Sequence, residues 1–136
     1  MNGSNCLVLG YGRIGKCLAD LLKGLHANVI VAARKDDDFV WIKAMGYKGI
    51  KYSELPKVLP NINILFNTVP ALVIQEELNY MKKDSLIIDL ASKPGGVDFA
   101  LAKEKGIVAE LALGLPGKVA PESVAEYMFN KVKKVI

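Results

Sequence analysis

Histidine, cysteine and tryptophan are scarce in these 136 residues: one His, two Cys and one Trp. Each scarcity removes a class of chemistry. Cys6 and Cys17 stand in no C-x-x-C or zinc-ligand spacing, so the sequence offers no metal site. Both fit buried positions of a strand and a helix, as reduced core thiols of a cytoplasmic protein. The lone His26 falls in a turn between predicted elements and reads as a surface turn residue. Aromatic residues make up 7% against 51% hydrophobic, the aliphatic balance of a soluble α/β protein. No apolar run approaches the ~20 residues that cross a bilayer. The first strand is expected to begin almost at once, leaving no room for a signal peptide. Net charge is +4, but the lysines are scattered. Lys131, Lys133 and Lys134 read as a solvated tail rather than a nucleic-acid patch. No internal repeat, linker or low-complexity segment divides the chain, so residues 1–136 are read as one domain. That is enough for a real core but small for a complete two-domain enzyme.

What the chain does have, at its head, is a glycine pattern in a meaningful place. Asn5 to Gly15 reads Asn-Cys-Leu-Val-Leu-Gly-Tyr-Gly-Arg-Ile-Gly. Cys6 to Leu9 is the short apolar run of a fully buried parallel strand. It ends in a complete G-x-G-x-x-G: Gly10 for the tight turn, Gly12 for close approach of a pyrophosphate, Gly15 for close helix–strand packing. Orphan N–H groups in the first turn of the next helix would face the phosphates. Gly10, Tyr11, Gly12, Arg13, Ile14 and Gly15 are therefore cofactor-binding candidates, with the pyrophosphate over Tyr11 to Ile14. A purely structural glycine turn is the alternative.

Ile14, Cys17, Leu18, Leu21, Leu22 and Leu25 form one helical stripe over residues 13–25. Residues 28–33 make the second strand, whose tip selects the cofactor. An NAD site wants an acid there, about 20 residues past the glycines, to bind the ribose 2′-OH. This chain has Ala33, Arg34 and Lys35, which suit the 2′-phosphate of NADP better than NAD. Asp36, Asp37 and Asp38 read as the cap and first turn of the next helix. A register slip that set Asp36 at the ribose would reverse the preference. A short helix over 39–45, a weak edge strand over 49–52 and a helical piece from Ser53, limited by Pro56 and Pro60, follow.

The fourth strand is expected at 62–66, with Asn67, Thr68, Val69 and Pro70 at its carboxyl end, where open α/β sheets bind ligands. Asn67 and Thr68 have polar groups for ribose or nicotinamide, or else make an ordinary turn. A helix over 72–81 leads to a fifth strand over 86–90. Asp89, Ala91 and Ser92 begin its loop, with Asp89 either a backbone cap or an organiser of a ligand-side loop. Asp98 caps a helix running to Lys105, residues 107–111 form the sixth strand, and Gly114 to Lys118 make a third loop before a helix that Pro121 starts. The pattern predicts an α/β doubly wound parallel sheet of Rossmann type, with six strands in the order 3-2-1-4-5-6.

Three segments carry a resemblance more specific than the glycines. They are Thr68-Val69-Pro70, Ile88-Asp89-Leu90-Ala91-Ser92-Lys93-Pro94-Gly95-Gly96 and Gly114-Leu115-Pro116-Gly117-Lys118-Val119-Ala120-Pro121. Over essentially its whole length the chain resembles the dinucleotide domain in the family of dipicolinate synthase A subunits. The resemblance implies a bacterial cytoplasmic enzyme of sporulation. Such an enzyme oxidises a cyclic dihydrodipicolinate-type intermediate to pyridine-2,6-dicarboxylate with NADP, alongside a flavoprotein-like second subunit. It also implies that this domain is the C-terminal half of a longer chain. The missing N-terminal domain would lie on the substrate side, so the isolated chain is expected to bind cofactor and turn over nothing.

Asn67, Thr68, Val69, Pro70, Asp89, Ala91, Ser92, Gly114 and Pro116 are the cofactor-side candidates of these loops. Lys93 and Lys118 are candidates for the carboxylates of a dicarboxylate substrate, or else solvated loop lysines. No catalytic residue is identified. Nothing resembles the catalytic His with an acid partner of 2-hydroxyacid dehydrogenases, since no His follows His26. A substrate poised to aromatise needs hydride acceptance and proton removal, not necessarily a histidine base. Two other readings are a regulatory nucleotide-binding module of potassium transport and a dehydrogenase of another substrate class. The first also opens with Gly-x-Gly-Arg-x-Gly, but it usually keeps the acid after the second strand. No nucleic-acid or membrane partner is expected, and a homo-oligomer is left open.

Overall fold

Short, almost uninterrupted apolar runs make strands that are buried on both faces. The computed structural model describes residues 3–91 and 96–111 and contains six strands, the central ones of this kind and the two outermost part-exposed. They are β1 (Asn5–Leu9), β2 (Asn28–Ala32), β3 (Lys48–Ile50), β4 (Ile64–Asn67), β5 (Leu86–Asp89) and β6 (Val108–Leu111). All pair in parallel, in the order β3-β2-β1-β4-β5-β6. This is the Rossmann-type order expected. The order reverses between β1 and β4, where Leu9 stands beside Asn67 on one side and Ala32 on the other. Ligands of doubly wound sheets lie in the crevice at the carboxyl ends of such a pair.

Alternation along the strands divides the core in two. On one face Cys6, Val8, Val31, Phe66 and Ile88 pack under α1 (Arg13–Gly24) and α2 (Asp36–Ala44). On the other, Leu7, Leu9, Leu65 and Ile87 pack against α3 (Leu55–Val58), the turns around it and α4 (Phe99–Glu104). Local signals set the helix ends. Asp36, Asp37 and Asp38 occupy the first turn of α2, where acids suit the helix dipole. Asp98 caps α4 by accepting the Leu101 N–H at 3.0 Å, and Gly106 follows at φ +76°.

Among the described residues one expected element is absent; the loop expected over 114–118 and the helix expected from Pro121 lie outside them. Residues 72–81 do not form a helix; a 3-10 turn over Glu76–Tyr80 is what remains of it. The cause is non-local. The N–H groups of Val73 and Ile74 both donate to the Gly96 carbonyl at 2.9 Å, and Ile74 accepts from Asp98 N at 2.9 Å. Ile74 thereby bridges Val97 in parallel, and backbone groups engaged across the loop cannot also close helical turns. The apolar spacing that suggested a helix still buries one side: Ile74, Leu78 and Met81 are in the core while Leu72 is exposed. Smaller shifts occur at β3, which ends at Ile50 so that Tyr52 starts a 3-10 turn, and at β4, which begins at Ile64.

Candidate functional site

The glycine loop has the geometry its spacing demands. Gly10 sits at φ +96°, and a Cβ there would lie 2.6 Å from Thr68 Oγ1. A Cβ on Gly15 would fall on the Gly10 carbonyl, so α1 lies against the loop as closely as backbone allows. Gly12 is different: nothing lies within 4 Å of its would-be Cβ. It caps α1, whose first turn has no side-chain cap and no acid. Open space above uncapped N–H groups is what an incoming phosphate needs. Arg13 is exposed beside it and Ile14 is half-buried. The Tyr11 ring is turned inward, 8% exposed, with Lys16 Nζ 5.5 Å from its centroid, so Tyr11 offers the site its main chain. Burial, then Asp38 and Asp20, push the Tyr11 phenol up.

At the tip of β2, Ala33 is buried and its N–H donates to Ile50 O at 3.1 Å. Arg34 and Lys35 are exposed. The Arg34 guanidinium carbon lies 5.2 Å from the centroid of the Tyr52 ring, and it forms no ion pair among the described residues. None of the three aspartates that follow forms an ion pair with it.

Thr68 joins the first loop to the second. Its hydroxyl donates to Leu9 O at 2.7 Å and its N–H to the same oxygen at 3.0 Å. Val69 packs beside it against Gly10, and Pro70 is exposed. Asn67 is not the free loop amide expected. It ends β4 fully buried, and its side chain donates to Val69 O at 2.9 Å and Asp89 Oδ1 at 3.0 Å while accepting Val69 N at 3.1 Å. A buried carboxamide needs such partners.

Asp89, also fully buried, has a matching set. Oδ1 accepts Asn67 Nδ2 and Ala91 N at 3.0 Å, and Oδ2 accepts Gly96 N at 2.7 Å. The two side chains bind the loops after β4 and β5 into one body beneath the crevice. Gly96, read from the sequence as part of a flexible loop, is buried in this node, where a Cβ would strike the Asn67 amide. Ser92, Lys93, Gly114, Pro116 and Lys118 lie outside the described residues.

Tyr52, beside Arg34, and Gly96, in the Asn67–Asp89 node, were not among the site candidates read from the sequence. Tyr52 is placed there by the strand register, in which Ala32 pairs with Ile50, so that Arg34 and Tyr52 both follow that pair by two residues. Gly96 gave no local signal. Among the described residues no group of His, Cys, Asp or Glu is arranged to hold a metal, and no helix is long and apolar enough to cross a membrane.

Known proteins resemble this chain in sequence and fold. The A subunit of dipicolinate synthase from Bacillus subtilis (strain 168) is 40% identical over 137 aligned residues, covering all of this chain and 46% of that protein. The crystal structure of the dipicolinate synthase A subunit from Bacillus halodurans superposes with a TM-score of 0.82 at 39% identity, over 98% of this chain and 46% of that one. The crystal structure of the B. subtilis protein gives 0.82 at 41% identity, over 98% and 45%. The chain thus spans a little under half the length of these relatives. Residues 1–103 match the family described as D-isomer specific 2-hydroxyacid dehydrogenase, NAD binding domain. With its glycine loop and sheet order, the chain belongs to that family of nicotinamide-dinucleotide-binding domains.

Proposed function

We propose that this chain is the NADP-binding part of a cytoplasmic oxidoreductase akin to the dipicolinate synthase A subunit. Its reaction would oxidise a dihydrodipicolinate-type ring to pyridine-2,6-dicarboxylate, the ring losing a hydride and a proton as it aromatises. The bound cofactor supplies the hydride acceptor. The chain's own share is to hold the pyrophosphate over Gly12 with the first-turn N–H groups of α1 and to keep the loops after β4 and β5 fixed beside it. Lys93 and Lys118 are proposed for the substrate carboxylates. The substrate-side half, N-terminal in the full-length protein, and a flavoprotein-like second subunit would complete the enzyme. The relatives are about twice as long as this chain, which supports the need for that half.

The observation that carries the cofactor choice is Arg34. Where an NAD site has an acid at the tip of β2, this chain has an arginine unpaired among the described residues. A 2′-phosphate carries close to two negative charges. A charge-assisted pair is worth about 1.5–3 kcal/mol, and screening at an exposed position keeps it at the lower end, roughly 1.5. That is about tenfold in affinity.

The test is calorimetric titration of the chain with each cofactor. NADP is expected to bind about tenfold more tightly than NAD, and Arg34→Ala to lower NADP affinity while leaving NAD nearly unchanged. Equal affinities, or a loss shared by both cofactors, would overturn the assignment and favour Asp36 at the ribose. In parallel, the chain alone is expected to oxidise no dihydrodipicolinate. Measured turnover would refute the dependence on a second half.

A further inference from the structure

We infer that Tyr52 is a specificity-determining residue: its ring is the platform that holds the Arg34 guanidinium in position for the 2′-phosphate. The inference rests on the cofactor reading above and assigns the selection of NADP to two residues rather than one.

Register brings the two together. Ala32 pairs with Ile50, and Ala33 N donates to Ile50 O at 3.1 Å, so the chains leave the sheet in parallel. Two residues beyond that pair, Arg34 and Tyr52 emerge as neighbours at the carboxyl edge. The platform is anchored. Tyr52 opens a 3-10 turn closed by Glu54, whose side chain accepts Lys51 N at 3.0 Å and whose own N–H returns to Lys51 O at 2.9 Å. Leu55 follows, fully in the core, and the Tyr52 ring packs half-buried against the same cluster.

Arg34, by contrast, is exposed. Among the described residues its guanidinium has the Tyr52 ring as its neighbour, 5.2 Å away, and no carboxylate. The guanidinium's charge is felt by the ring: burial pushes the Tyr52 phenol up, and Arg34 draws it part of the way back. An unsupported surface arginine spreads over many rotamers, and a ligand that requires one of them binds more weakly by the fraction populated. A cation held over an aromatic face at an exposed site is favoured by a factor of about three to five. That factor should appear in NADP affinity and not in NAD affinity, because NAD presents no phosphate to the fork.

The experiment titrates NADP and NAD into the wild-type chain, Tyr52→Leu, Tyr52→Met, Tyr52→Phe and Arg34→Ala, with a thermal melt of each. Removing the ring by Leu or Met should lower the NADP-to-NAD affinity ratio about three- to fivefold through NADP alone, and Tyr52→Phe should restore the wild-type ratio. The Met variant serves if Leu fails to fold, NAD affinity being the check in each. A ratio unmoved by ring removal, with Arg34→Ala lowering it, overturns the platform and leaves the cofactor reading standing. A loss in Tyr52→Phe as large as in Tyr52→Leu assigns the effect to the hydroxyl and also overturns it. A ratio unmoved by Arg34→Ala overturns the cofactor reading itself, and the platform with it.

Discussion

Replacing Gly12 by valine isolates binding from folding, because the structure gives the new side chain room and takes that room from the ligand. Gly12 has φ −85° and ψ −159°, an extended conformation open to any L-residue. Nothing lies within 4 Å of its would-be Cβ. The folding cost is therefore confined to a poorer N-cap, about 1 kcal/mol, or a fall of roughly 3–5 °C in Tm for a domain of this size. The space filled is the approach to the uncapped first turn of α1. A pyrophosphate kept out of it loses at least two charge-assisted hydrogen bonds to backbone N–H, together about 3 kcal/mol or more. NADP affinity should fall at least about a hundredfold. Gly15→Ala is the contrast, since its Cβ would fall on the Gly10 carbonyl. That contact sets backbone against backbone, and the variant should lose several degrees more in Tm. Calorimetric titration with NADP and a circular-dichroism melt of both variants decide the matter. A Gly12→Val protein that keeps its melt and binds NADP within about threefold of wild type would refute the placement of the pyrophosphate.

Further expectations follow from buried groups. Asp89→Asn turns an N–H toward a donor that the carboxylate now accepts, Gly96 N or the Asn67–Ala91 pair. It should cost about 2–4 kcal/mol in urea denaturation, and an unchanged midpoint would count against the node. Burial pushes the Cys6 thiol from 9.0 up to about 12. In the native protein Cys6 should therefore resist iodoacetamide at pH 8 until the protein unfolds, as read by mass spectrometry; labelling at a free-thiol rate would contradict its burial. Because the folded thiol holds its proton more tightly than the unfolded one, its stabilising contribution is complete below about pH 9 and is lost as pH rises toward about 12. Cys6→Ala should flatten that alkaline limb, and a limb unchanged in the variant would assign it to other groups.

The elements legible in the sequence are those determined by nearby residues. The strand–glycine–helix opening, the aspartates in the first turn of α2, the Asp98 cap and the strand order each follow from a local pattern plus a topological rule. The misread helix over 72–81 failed for the converse reason. Ile74, Leu78 and Met81 have helical spacing and are buried as that spacing implies, yet the backbone answers to Gly96, far along the chain. Periodicity reports which side is buried, not which carbonyl an N–H will find. The site divides in the same way. The close packing at Gly10 and Gly15 and the open space at Gly12 were readable from their spacing. Asn67 looked like a ligand group because an amide at a strand end gives no sign of a carboxylate waiting on the neighbouring strand.

That borrowed carbonyl bears on the order in which the molecule assembles. In β1–α1–β2 each strand is followed by a helix whose bonds close within its own turns, so this half can nucleate from contacts near in sequence. The connection from β4 to β5 has only the short 3-10 turn over Glu76–Tyr80 closing within itself. Its extended stretch gains partners only when the loop after β5 delivers Gly96, and loop closure must come before the contacts that reward it. The crevice wall on the β4–β5 side is therefore expected to form late, on the β1–α1–β2 half. The amides of Val73 and Ile74 are natural reporters of that wall: their hydrogen exchange should follow its local opening rather than the melting of the whole sheet.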